Sequence, residues 1–158
     1  MTTTLRLLLS SLLLLTSHVS ANNNADWQAY LKVASNLEAK APTASFAEIT
    51  ADSIKLTNLS TKILPAFISK HPICKEYLTV ALAASSSMQN LSLADIEKDY
   101  HADGKLPNMQ SASCYHAKDL LVHPATVVVI SKTQKDTKET REKIAEELLP
   151  EQEPETPV

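Results

Sequence analysis

Side chains that could do chemistry are concentrated in one stretch of the chain, residues 111–130. Cys114, His116, Asp119 and His123 lie there, together with a dense apolar run. A thiol, imidazoles and a carboxylate are the groups that form disulfides, bind transition metals or transfer protons. We therefore expect the other elements of the fold to be arranged around this stretch.

Cys114 has one possible partner within the chain, Cys74, because the sequence contains two cysteines. In an oxidising compartment such thiols normally form a disulfide, and a bridge that closes a long loop stabilises a small domain by about 4 kcal/mol. We predict this disulfide. The alternative is a zinc site, since His71 and His116 flank the cysteines and two thiolates with two imidazoles form a tetrahedral zinc set.

The imidazoles and the carboxylate allow a second kind of metal site. On a helix, His116, Asp119 and His123 share one face, but the two histidines lie about 10.5 Å apart along the axis, too far to bind one ion together. Another helix must then supply a ligand. The alternative function is therefore zinc, copper or haem binding, with candidate ligands His71, His101, His116, Asp119 and His123.

A structural role for the same side chains competes with metal binding. In that interpretation Asp119 orients an imidazole, and His123 donates a hydrogen bond to a carbonyl that Pro124 leaves without a backbone donor. Tyr115, His116 and His123 also form a weaker candidate surface for an exported protein partner or a small apolar ligand.

The N-terminus has the three-part pattern of a secretory signal peptide. Arg6 precedes an apolar run at residues 7–15, and small residues follow up to Ala21, after which we predict cleavage. The run is shorter than the roughly 20 residues of a membrane-spanning helix. We therefore expect a periplasmic or secreted protein with no membrane span after cleavage.

Composition excludes several classes of site. The single glycine, Gly104, cannot build a phosphate-binding loop, a dinucleotide fingerprint or a hydrolase nucleophile elbow. The net charge of −3 does not favour nucleic acid as a partner. Binding without catalysis and without a resident cofactor is therefore the favoured function, and metal or haem binding is the alternative.

Apolar spacing and helix caps predict an all-α protein, a small bundle of four to five helices with one disulfide. Ser45 with Glu48 forms a capping box at one predicted helix start, and Pro72 marks another. The predicted domains are a signal peptide at 1–21, a bundle at 22–132, a charged peripheral helix at 133–149 and a disordered Pro/Glu tail at 150–158. Residues 126–130 are β-branched, so a strand is the alternative there.

Overall fold

The computed structural model describes residues 17–148, with side chains described from Asn24 onward. The predicted tail and most of the predicted signal peptide lie outside that range. Helices make up the fold: α1 Ser17–Lys40, α2 Phe46–Lys70, α3 Lys75–Met88, α4 Leu93–Ile96, α5 Ala112–Thr133 and α6 Lys138–Leu148. A 3₁₀ turn, Pro72–Cys74, precedes α3, and a π-helical turn, Glu97–His101, follows α4.

The all-α prediction is confirmed for the described part of the chain, and the strand alternative for residues 126–130 is wrong. These residues continue α5 without a break beyond Pro124. Every residue from 124 to 131 is buried, so the helix is enclosed on all sides there. A fully enclosed helix needs no polar face, and its short apolar run cannot be told from a buried strand by periodicity.

The central helix α5 joins two apolar clusters. Its N-terminal half packs with α3 and the end of α2 around Leu64, Leu78 and Leu121, whereas its C-terminal half packs with α1, α2 and α6 around Leu37, Ile49 and Ile130. The two clusters meet along α5, which contacts α2, α3 and α6. Elements distant in sequence are therefore brought together along one helix.

The predicted disulfide between Cys74 and Cys114 is confirmed. It joins the start of α3 to the first turn of α5, and both cysteines are fully buried. The alternative zinc set of two thiolates with His71 and His116 is wrong, because both sulfurs are consumed by the covalent bond.

Pro124 leaves the carbonyl of Leu120 without its α-helical donor, because proline has no N–H. Two other helices supply donors: the Tyr30 hydroxyl from α1, at 3.1 Å, and the Ser60 hydroxyl from α2. Burial raises the pKa of Tyr30 above its usual value, so its hydroxyl keeps the proton that it donates. The expectation that His123 would serve this carbonyl is wrong.

Helix α6 docks through both an apolar and a charged side chain. Ile144 is fully buried among residues of α1, α2 and α5. Arg141 donates to the carbonyls of Ala41 and Ala44, which follow α1, and forms a two-nitrogen ion pair with Asp136. These contacts hold the C-terminal helix against the bundle.

We predict that the two donors to Leu120 substitute for each other. Tyr30→Phe and Ser60→Ala should each lower the free energy of unfolding by about 1 kcal/mol, and the double variant by about 1–2 kcal/mol more than their sum, because the carbonyl then has no donor. Urea denaturation measures this coupling. The control repeats the same measurements in a Pro124→Ala background, where residue 124 has a backbone N–H that can bond the Leu120 carbonyl, so the coupling between the two substitutions should be smaller. Equal coupling with proline and with alanine at position 124 would contradict the role of the two hydroxyls as donors to Leu120.

We predict that the double variant Cys74→Ala/Cys114→Ala loses about 4 kcal/mol of unfolding free energy, because the bridge spans 40 positions of the chain. Denaturation of the oxidised wild type and of the variant gives the difference. A loss below about 1 kcal/mol would show that the bridge adds little to packing that is already sufficient.

Candidate metal centre

Three side chains with metal-binding groups converge at one place in the structure. His101 ends the π-helical turn, His123 lies in the middle of α5, and Glu147 lies in the last turn of α6. One candidate ligand atom from each lies within 4.8 Å of the others. All three side chains are half-buried, so the cluster is a partly enclosed site between three elements.

The distances approach those of a coordinated ion. His101 Nε2 lies 3.6 Å from Glu147 Oε2, and the imidazole rings of His101 and His123 stack with centroids 5.2 Å apart. Neighbouring ligand atoms of a tetrahedral zinc ion lie about 3.3 Å apart, given bonds of about 2.0–2.1 Å. The three groups are therefore near enough to one another to be candidate ligands of one ion.

Hydrogen bonds orient the two imidazoles. His123 Nδ1 donates to the Glu147 carbonyl at 3.2 Å, which directs Nε2 toward Asp119, at 3.8 Å. His101 Nε2 lies 2.8 Å from the Thr126 hydroxyl, which donates its own proton to the Val122 carbonyl and so accepts from the histidine. His123 is therefore held as metal-binding histidines normally are, with one nitrogen bonded to the protein, whereas Nε2 of His101 must give up its hydrogen bond to Thr126 before it can bind an ion.

The structure brings together only part of the predicted ligand set. His101 and His123 face each other, with Asp119 beside His123. His71 stacks on Phe67 instead, with ring centroids 4.3 Å apart, and the ring of His116 contacts the edge of the neighbouring Tyr115 ring. Neither His71 nor His116 belongs to the cluster, so of the five candidate ligands the structure brings His101 and His123 together.

Sequence reasoning missed Glu147, the carboxylate of the cluster. It lies in a helix with many acidic residues, so its type alone does not distinguish it. A signal was present in the spacing: Glu147 follows the buried Ile144 by three positions and therefore lies on the inner face of α6. The expectation of only peripheral docking for this helix hid that signal.

The turn that carries His101 is held by charges. The Lys105 ammonium lies 2.6 Å from Asp99 and holds the pKa of that buried carboxyl below its usual value. Asp103 has a left-handed φ of 59° and accepts a hydrogen bond from the Tyr77 hydroxyl at 2.7 Å. Burial raises the pKa of Tyr77, and Asp103 raises it further, so the phenol keeps its proton.

Lys118 adds a fully buried cation behind this turn. Its ammonium donates to the carbonyls of Tyr100 and His101 and to Asp103, at 3.0, 3.3 and 3.1 Å. It also lies 3.4 Å from Asp119 Oδ1. Buried charges of opposite sign are therefore matched immediately beside the candidate site.

Thr126, His101 and Glu147 do not form a nucleophilic triad. The Thr126 hydroxyl and the Glu147 carboxylate both approach the same nitrogen, Nε2 of His101, whereas a triad places them on opposite nitrogens. Thr126 is also fully buried, so a substrate has no access to it. The arrangement suits ligation better than proton relay.

Two exposed apolar side chains lie outside the cluster of His101, His123 and Glu147. Ile73 and Val80 are 59% and 37% exposed, and both line an open groove of about 730 Å³ along α3. The partner surface expected at Tyr115, His116 and His123 stays a prediction.

Comparison with protein-family models, curated proteins and solved structures finds no match to this chain. Among residues 17–148, no helix has the length and apolar character needed to cross a membrane.

We predict that Gly104→Ala destabilises the turn that carries His101. A Cβ at position 104 would lie 2.5 Å from the Lys98 carbonyl oxygen, which accepts a hydrogen bond from the Gly104 N–H. The backbone must shift, at a cost of about 1–3 kcal/mol in unfolding free energy. Thermal denaturation measures this loss of unfolding free energy. Asn108→Ala, at an exposed position nearby, is the control and should change the free energy of unfolding by less than about 0.5 kcal/mol. A Gly104→Ala variant as stable as the wild type would contradict the close approach of position 104 to the Lys98 carbonyl.

Proposed function

We propose that this protein is an exported, non-enzymatic binding protein whose ligand is a divalent transition-metal ion. The observation that carries the proposal is the convergence of His101, His123 and Glu147 from three separate elements. Two imidazoles and one carboxylate are a ligand set for zinc, copper(II) or nickel, and too poor in oxygen for calcium or magnesium. Water completes the coordination.

The geometry supports a bare ion better than haem, the other form of the metal-binding alternative. Two histidines that bind haem iron lie on opposite faces of the macrocycle, but the rings of His101 and His123 stack against each other at 5.2 Å. No macrocycle fits between rings in that arrangement. A single histidine ligand to haem would leave the convergence of the other imidazole and Glu147 unexplained.

Export is part of the proposal. The disulfide is typical of an oxidising compartment, such as the periplasm or the extracellular space. With both cysteines bridged, metal affinity in such a compartment must come from nitrogen and oxygen ligands, as the cluster provides. The signal-peptide pattern supports the same location, outside the cytoplasm.

We predict that zinc binds at one site per chain and that removal of any one ligand weakens binding. His101→Ala, His123→Ala and Glu147→Ala should each lower affinity by at least about 100-fold, the upper end of what loss of a supporting second-shell partner costs. Competition with a chromophoric zinc chelator measures the affinity, with oxidised protein purified without a histidine tag.

His71→Ala and His116→Ala are the matched controls, because they remove imidazoles that lie outside the cluster. Both should keep wild-type zinc affinity. The proposal fails if the wild type binds no zinc, copper or nickel, or if the control variants lose as much affinity as the three ligand variants.

A further inference from the structure

Lys118 contacts the turn that carries His101 and the Asp119 carboxylate beside His123, and it provides no ligand itself. It lies on α5, five positions before His123, and its side chain is fully buried. We propose that the Lys118 ammonium is a positioning group for the metal centre, holding His101 where it can bind an ion together with His123. This inference rests on the proposed function.

The contacts of Lys118 determine the backbone at His101. Its Nζ donates to the carbonyl of Tyr100, at 3.0 Å, and to the carbonyl of His101, at 3.3 Å. These carbonyls belong to the two peptide groups on either side of the His101 Cα. Because one ammonium holds both peptide planes, it restricts φ and ψ of His101 and therefore the direction in which the imidazole leaves the turn.

The turn needs such a support because its own hydrogen bonds are irregular. Residues 97–101 form a π-helical turn, and Asp103, just beyond it, has a left-handed backbone. π-Helical turns are rare and occur frequently at functional sites. Asp103 Oδ1 accepts from Lys118 at 3.1 Å, so the same ammonium also holds the residue that follows the turn.

Lys118 is linked to the second histidine through Asp119. Asp119 Oδ1 lies 3.4 Å from the Lys118 ammonium and 3.8 Å from His123 Nε2. Because Nδ1 of His123 donates to the Glu147 carbonyl, Nε2 is the nitrogen left for an ion, and the Asp119 carboxylate lies beside it. The aromatic ring of Tyr115, with its centroid 3.8 Å from Nζ, lies on another side of the ammonium. The cation is therefore held in one position.

Positioning and electrostatics predict opposite effects when Lys118 is replaced. Lys118→Met removes a positive charge and leaves the carboxylates of Asp103 and Asp119 unbalanced, so charge alone would strengthen cation binding. Loss of the three hydrogen bonds would instead let the His101 turn move and weaken binding. The sign of the change in zinc affinity thus distinguishes the two effects.

The experiment is a double-mutant cycle between Lys118→Met and His101→Ala, with zinc affinity as the readout and circular dichroism to confirm folding. We expect Lys118→Met to weaken zinc binding by about 10- to 100-fold, the range for loss of an outer-shell partner. In the His101→Ala background it should weaken binding by less than about 3-fold, because the ligand that it positions is already absent. The Co²⁺ absorption spectrum of Lys118→Met should resemble that of His101→Ala.

Several results would overturn the inference. Unchanged or tighter zinc binding by Lys118→Met would exclude positioning. Equal losses of zinc affinity with and without His101 would show a general structural effect and would also overturn the inference.

If Lys118→Met does not fold, Tyr115→Leu tests the inference instead, because it removes the ring beside the ammonium without changing charge. Tyr115→Phe, which keeps the ring, is its control. Tyr115→Leu should weaken binding by about 3- to 10-fold relative to that control, and an unchanged affinity would overturn the inference. Absence of zinc binding in the wild type would instead refute the proposed function itself.

Discussion

The enclosure of α5 is the constraint on which the rest of the structure depends. Residues 124–131 of this helix are all buried, so the polar groups on this stretch, and the carbonyl that Pro124 leaves without a donor, must find partners within the protein. Tyr30 and Ser60 reach the Leu120 carbonyl from α1 and α2, and Thr50 of α2 meets Ser131 at 2.7 Å. Hydroxyl side chains on α1 and α2 thus bond to polar groups of α5. The disulfide fixes the opposite end of the same helix to α3.

The same constraint produces the candidate site. A buried lysine and a buried aspartate on α5 are tolerated only with compensating charges and acceptors nearby. The turn after α4 provides them through its carbonyls and Asp103, which brings His101 to α5 beside His123. Helix α6 then covers this region and adds Glu147. A mixed cluster of candidate nitrogen and oxygen ligands is thus assembled by the packing of a polar segment of the central helix.

Local signals in the sequence were sufficient for much of the fold. The capping box of Ser45 and Glu48 correctly marks the start of α2, because both of its hydrogen bonds form within four residues. Pro72 correctly marks a new helical start, and the count of cysteines correctly identifies the bridge. The helix starts depend on residues close in sequence, and two cysteines allow one pairing within the chain. They need no knowledge of how the helices pack.

The details of the site required tertiary packing. Tyr30 lies 90 positions from the carbonyl that it serves, and no local pattern links the two. In the sequence Lys118 does not differ from other charged residues of a helix. Its role becomes visible only when the turn at 97–103 is packed against it. Glu147 likewise becomes distinctive only when α6 is docked with Ile144 inward. Of the predicted ligands, His101 and His123 meet because their helices pack, whereas His71 and His116 are directed elsewhere.

X-ray absorption spectroscopy of the zinc-loaded, oxidised protein tests the central claim most directly. The account predicts a first shell of nitrogen and oxygen atoms at about 2.0–2.2 Å, with outer-shell scattering from two imidazole rings and no sulfur at about 2.3 Å. A spectrum with one imidazole or none, or with sulfur ligands, would contradict the assignment of His101, His123 and Glu147 as the metal centre.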